Sequence, residues 1–184
     1  MRSVATTIAL LLFSLPRVLT QGASDQDLYD FSWITKWSAI GDSYAAGIGA
    51  GNSYSIGSPS SASLDCSRYD GAYPNLINLQ LGTDPESIDF MFSACSGAVT
   101  SEVITQAKNL TIDQQMITIS SGGNDAGLTD IINDCVYTYK AALSGDCTAS
   151  LEKAQSIMES DEFASKLDEL LSIAKSKLAD NGTM

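Results

Sequence analysis

Apolar residues gather in three short runs along the chain, each closed by residues that favour turns. Trp37-Ser38-Ala39-Ile40 ends at Gly41-Asp42, the run from Ile88 to Phe92 leads into Ala94-Cys95-Ser96-Gly97, and Met116-Ile117-Thr118-Ile119 is bounded by Ser120-Ser121-Gly122-Gly123. Runs this short, the third of them β-branched, read as buried strands meeting turns. Between them, Tyr73 to Leu81 and Val103 to Asn109 have helical character. Strands alternating with helices predict an α/β fold in which a parallel sheet is covered on both faces.

The plainest helical pattern comes last. Phe163, Leu167, Leu170, Leu171, Ala174 and Leu178 recur at spacings of three and four along one stripe. Ser160 is placed to cap it, Asp161 and Glu162 suit its positive end, Lys175 and Lys177 its negative end, and Gly182 can stop it. In this alternation another strand should follow. Three strands alone would leave the third as an open apolar edge, which soluble proteins avoid, so the expectation is a domain whose last strands are missing.

Composition narrows the class. A chain of 184 residues, 44% hydrophobic, can build one real core. Met1-Arg2 followed by the apolar stretch Val4 to Leu15, with small or polar residues from Thr20 to Ala23, fits a secretory signal peptide over about residues 1–20, leaving residues 30–184 as a single domain. No later stretch reaches the roughly 18 uncharged apolar residues of a membrane span. The expected product is therefore secreted, extracellular and without stable membrane insertion. Four cysteines in an exported chain favour two disulfides. Of the three connectivities the sequential one is favoured, because Cys135 and Cys147 flank a short polar loop that a bridge closes at little entropic cost; Cys66 with Cys95 then follows. Asn109 and Asn181 head glycosylation sequons. The net charge of −12 would repel nucleic acid and anionic membranes, and a monomer is expected.

In open parallel sheets ligands bind beyond the carboxyl ends of the strands. The three runs are followed there by Gly41-Asp42-Ser43-Tyr44, by Ala94-Cys95-Ser96-Gly97-Ala98, and by Gly122-Gly123-Asn124-Asp125. Together they offer a hydroxyl, an unobstructed glycine N–H and a carboxamide donor, the parts needed to attack a carbonyl and hold the resulting oxyanion. Each piece alone has a plainer reading: Ser43 as a helix N-cap, Ser96-Gly97 as a turn, Asn124 as the cap of a helix running toward Tyr139. Three successive strand ends carrying them in this order favour a hydrolase site.

With these blocks the sequence resembles the SGNH hydrolases, the GDSL-like esterases and lipases. Ser43 matches the first block, Gly97 the second and Asn124 the third. Cys66-Ser67-Arg68-Tyr69 with Ala72-Tyr73-Pro74 resembles the secreted, disulfide-containing subgroup, which supports the Cys66–Cys95 pair. The resemblance covers about Trp37 to Asn181. It implies a flavodoxin-like three-layer α/β/α sandwich, no cofactor and no metal, a lipid or other acyl ester as substrate, Ser43 as nucleophile, and an oxyanion hole made by the N–H groups of Ser43 and Gly97 with the Asn124 side chain. Ala45 stands where the nucleophile elbow of the α/β-hydrolases has glycine, which argues against that fold.

One block has no counterpart. The chain contains no histidine, and the family's Asp-x-x-His segment, which supplies the base, is absent. A serine hydroxyl without a base is a poor nucleophile at neutral pH. The expectation is an ester hydrolase inactive as written; the alternative is a secreted, non-catalytic relative that keeps the pocket for binding. Among lesser features, Gly47 to Gly51 reads as a lip beside Ser43, Asp125, Asp130 and Asp134 as a solvated helix face rather than a calcium site, Ser53 to Ser63 as a surface loop, and Trp33 and Trp37 as core.

Overall fold

A computed structural model describes residues 31–54, 65–81, 87–137 and 145–184; the leader read as a signal peptide and most of the serine-rich stretch after Ser53 lie outside them. The order is β1 (Lys36–Gly41), α1 (Ser43–Ala46), α2 (Tyr73–Leu81), β2 (Asp89–Phe92), α3 (Thr100–Asn109), β3 (Gln114–Ser120), α4 (Leu128–Ile131), a π-helical turn (Ile132–Val136), α5 (Cys147–Met158), α6 (Asp161–Lys175) and β4 (Leu178–Thr183). The strands form one sheet in the order β2-β1-β3-β4, and every pairing is parallel.

β1 lies between β2 and β3, so its side chains are buried on both faces. Trp37 and Ala39 point to one face with Ile34, stacking on Phe90 at 4.3 Å between ring centroids. The Trp37 indole donates to Asn78 Oδ1 on α2 at 3.0 Å, giving a buried polar group its partner. On the opposite face Ile40 packs with Ile117, Val103, Ile104 and Leu170, where α3 and α6 cover the sheet. Trp37, Ile40 and Ile117 are at most 1% exposed, each contributing about 1.5–3 kcal/mol through burial. Helices on both faces of a parallel sheet make the three layers expected.

Several expectations change. The last helix does not run to Gly182: it ends at Lys175, and Leu178 and Gly182 belong to β4. Lys177 Nζ donates to the carbonyls of Lys108 and Leu110 at 2.9 and 2.8 Å, satisfying the C-terminal end of α3, while Gln114 N donates to Lys177 O at 2.9 Å. Those bonds draw the chain off the helix axis and start a fourth strand beside β3, so β3 is not an open edge. β4 is polar, and its register slips between Gln114 and Met116. α5 was not legible in the sequence; of its twelve residues only Ala154 is buried. Trp37 is core, but Trp33 is 39% exposed. Both disulfides have the sequential pairing, Cys66–Cys95 and Cys135–Cys147. Asn109 and Asn181 are exposed, and no described helix is long and apolar enough to cross a membrane.

Candidate active site

The site begins at the carboxyl end of β1. Gly41 has φ +143°, and a Cβ there would stand 2.5 Å from the Ser120 carbonyl oxygen, so only glycine lets β1 and β3 approach this closely. Asp42, 4% exposed, donates its N–H to Ser120 O at 3.1 Å. Its carboxylate accepts from Tyr44 N at 3.0 Å and from the Ser120 hydroxyl, which makes it the N-cap of the one-turn helix α1. The plain reading of Ser43 as the cap is therefore corrected: Ser43 is the first helical residue. No hydrogen bond among the described residues engages its hydroxyl or its N–H.

β2 ends at Phe92, level with Ala39 and two residues short of the end of β1. The chain then turns through Cys95, whose N–H donates to Gly41 O at 2.9 Å, and Ser96, whose N–H donates to Cys66 O at 3.0 Å across from the disulfide. Arg68 anchors the turn from below, donating to Ala94 O at 3.1 Å and lying 5.8 Å from the Phe92 ring centroid; burial pulls its guanidinium below the ordinary arginine value. Gly97 follows at φ +85°, exposed, with open space where a side chain would point. Its N–H donates to no acceptor among the described residues.

The loop after β3 closes the arrangement. Asn124 Nδ2 donates to Ala98 O at 2.9 Å, one residue beyond Gly97. It does not cap a helix; Gly127 precedes α4. Asp125 Oδ2 accepts from the N–H and the hydroxyl of Thr100 at 2.7 and 2.9 Å, holding the N-terminus of α3, and Thr100 Oγ1 also meets Ser121 Oγ at 3.0 Å. The three aspartates thus do not share a solvated face: Asp125 joins two loops, Asp130 pairs with Lys153 at 3.2 Å, and Asp134 accepts from Gly145 N and Ser150 Oγ. Among the described residues no cluster suited to a metal ion occurs.

Ser43, Gly97 and Asn124 therefore sit on the loops that leave three adjacent strands, β1, β2 and β3, at the same end of the sheet. The three strands span only about 10 Å at the usual spacing. Direct bonds tie first loop to second (Cys95 to Gly41), second to third (Asn124 to Ala98), and first strand end to third (Asp42 to Ser120). Tyr73 stands close by; burial, and after it the negative charge of Asp42, hold its hydroxyl above the ordinary phenol value.

Sequence reasoning missed Gln106 on α3. Its Oε1 accepts from Gly41 N at 2.7 Å and its Nε2 donates to Gly41 O at 3.0 Å. Because β2 stops early, Gly41 has no ladder acceptor on that side, and the Gln106 amide takes the place of a neighbouring peptide group. A cavity of about 410 Å³ opens beside it, lined by Gly97, Ala98, the Cys66–Cys95 bridge, Glu102 and Thr105 among others; Ser43 and Asn124 are not in its wall.

Similarity to known proteins agrees with this geometry. A lipase from Streptomyces rimosus is 35% identical over 161 residues, covering 86% of this chain and 53% of that protein. Lipase 1 from Streptomyces coelicolor is 35% identical over 140 residues, covering 76% and 47%. The crystal structure of the extracellular lipase from S. rimosus superposes with a TM-score of 0.62 at 31% identity, over 78% of this chain and 56% of that one. The chain belongs to the SGNH hydrolase family. Phospholipase A1 from Streptomyces albidoflavus has the same fold, with a TM-score of 0.60 at 33% identity, over 79% of this chain and 56% of its own. No protein-family model matches the chain. The chain spans about half the length of the curated relatives it matches.

Proposed function

We propose that this SGNH chain carries the nucleophile and oxyanion hole of a secreted carboxylic-ester hydrolase acting on lipid or other acyl esters. Ser43 Oγ attacks the ester carbonyl, and the N–H groups of Ser43 and Gly97 with Asn124 Nδ2 receive the oxyanion. The observation that carries the reading is the set of unengaged donors: among the described residues the Ser43 hydroxyl and the Ser43 and Gly97 N–H groups have no partner, on loops that Gly41, Cys95 and Asn124 bind together. The second Asn124 amide hydrogen completes the set. Relatives named as lipases, one of them extracellular, support the reaction class and the export. No metal or organic cofactor enters this mechanism.

The acceptor for the serine proton is the missing part. The 184 residues hold no histidine, and Asp42, the carboxylate next to Ser43, is occupied as a helix cap. The chain alone therefore forms an acyl-enzyme slowly. That same lack favours the second reading, a secreted protein that binds esters without turning them over. A fluorophosphonate probe tests the assignment, since it reports nucleophile and oxyanion hole together. Slow labelling mapped by mass spectrometry to Ser43, lost in Ser43→Ala and slowed in Asn124→Ala, supports the esterase reading. Labelling elsewhere, or unchanged by Ser43→Ala, overturns it. Turnover of p-nitrophenyl butyrate indistinguishable from that of Asn124→Ala, with the ester still bound, favours the binding reading.

A further inference from the structure

We propose that Asp70 is a positioning residue for the Ser43 turn: its carboxylate clasps Asn52 and so holds the glycine-rich lip, residues 47–51, against the segment 68–71, which the Cys66–Cys95 bridge ties to the Gly97 loop. The proposal rests on Ser43 as nucleophile and Gly97 as oxyanion donor, and adds a residue that acts on both through its neighbours.

The lip begins where α1 ends. Gly47 N donates to Ser43 O at 2.9 Å and Ile48 N to the same carbonyl at 3.4 Å, so movement of the lip is felt at the residue that carries the nucleophile. A stretch with glycine at 47, 49 and 51, all at positive φ, would sample many conformations if left to itself. Segment 68–71 removes that freedom through backbone bonds: Tyr69 N to Ala46 O at 2.9 Å, Gly71 N to Ala50 O at 2.7 Å, Asp70 N to Asn52 O at 2.9 Å, and Tyr54 N to Arg68 O at 2.8 Å. Asp70 adds its side chain to them. Oδ1 accepts from Asn52 N at 2.8 Å and Oδ2 from Asn52 Nδ2 at 3.3 Å. A Cβ on Gly51 would collide with Asp70 Oδ1, so glycine there makes room for the clasp. The Asn52 N–H, and after it the Asn52 side chain, hold the Asp70 carboxyl below its ordinary value, which keeps it charged and the bonds charge-assisted.

The same segment reaches the second loop. Cys66, two residues before Arg68, is bonded to Cys95, and its carbonyl accepts from Ser96 N at 3.0 Å, next to Gly97. Asp70 thereby stands between two parts of the site that must meet one carbonyl, the Ser43 turn through the lip and the Gly97 loop through the bridge. Asn52 is exposed and Asp70 half-buried, so the clasp adds little to global stability while it fixes local geometry. A displacement of about 1 Å in a reacting group can slow a reaction about a hundredfold.

The test follows the full chain by amide hydrogen exchange and by fluorophosphonate labelling of Ser43, in Asp70→Ala, in Asn52→Asp, and in Asn52→Asp combined with Asp70→Asn. Asp70→Ala should speed exchange at Gly47 and Ile48 at least about tenfold. It should also lower the labelling rate at saturating probe about tenfold, with the half-saturating probe concentration and the thermal midpoint close to the parent's. Asn52→Asp sets two carboxylates against each other and should be as slow. The combined change restores an amide–carboxylate pair with its ends exchanged, and should bring labelling back to within about threefold of the parent. Exchange at Gly47 and Ile48 unchanged in Asp70→Ala, slower labelling that comes entirely from weaker probe binding or a lower midpoint, or a combined variant no better than Asn52→Asp overturns the clasp. Exchange needs no chemistry at Ser43, so the two readings fail separately: probe found on another residue sinks the nucleophile, whereas normal Ser43 labelling with unchanged lip exchange sinks the role of Asp70 alone.

Discussion

Removing the Gln106 amide should loosen the turn that presents Ser43. In Gln106→Ala the Gly41 carbonyl keeps Cys95 N, but the buried Gly41 N–H loses its acceptor. An orphaned buried donor costs about 1–3 kcal/mol, and the adjoining cavity can admit water to it, which places the expected loss at about 1–2 kcal/mol. Gln106→Met, similar in shape but without the hydrogen bonds, should lose a comparable amount, which separates bonding from packing. Gln106→Glu adds a pH signature. The introduced carboxylate would face Gly41 O from a partly buried position, so its pKa in the folded state is raised above the usual value near 4.3. Only the protonated form can both accept from Gly41 N and donate to Gly41 O. Its stabilisation is then complete below the unfolded-state pKa and lost as pH rises through the folded-state value. Urea midpoints should show Gln106→Glu close to the parent near pH 4 and well below it at pH 7. A Gln106→Ala midpoint equal to the parent's, or a Gln106→Glu deficit that does not change with pH, would refute the clamp.

Three further outcomes follow from the same geometry. Gly41→Ala forces a methyl to within 2.5 Å of the Ser120 carbonyl oxygen at a strained φ, and should destabilise by more than about 3 kcal/mol or prevent folding, read by urea titration and expression. Replacing both Cys135 and Cys147 by serine opens a loop with a sequence separation of 12, and should cost about 2–3 kcal/mol, measured against the oxidised parent under non-reducing conditions. Hydrogen bonds from Ser150 and then Gly145 hold the Asp134 carboxyl below its ordinary value. Because that folded-state pKa is depressed, its stabilising effect is present above the unfolded-state pKa and lost as pH falls through the folded-state one; Ser150→Ala should move the Asp134 carboxyl titration upward by NMR.

The sheet was legible because β1, β2 and β3 bury both faces or sit beside strands that do, so their apolar runs stand out against polar turns. β4 was not: Leu178 falls on the stripe of α6, four residues after Ala174, and the rest of the strand is polar. Only the reach of Lys177 to the end of α3 shows where the helix stops. Ser43, Gly97 and Asn124 were legible as strand-end motifs, yet the residues that hold their loops were not. Gln106 meets Gly41 across 65 positions and Asp125 meets Thr100 across 25, and no local pattern marks a polar side chain whose partner is that far along the chain. Asp42 reads in the sequence only as part of the turn that ends the first run, whereas its carboxylate caps α1 and accepts from Ser120, 78 positions along the chain.

The most direct measurement is a crystal structure of the chain with butylboronic acid, which forms a tetrahedral adduct on a nucleophilic serine. The account predicts boron bonded to Ser43 Oγ, with one boronate oxygen within about 3.2 Å of both Gly97 N and Asn124 Nδ2. An adduct whose oxygens meet neither donor, or boron bound to a different side chain, would contradict it.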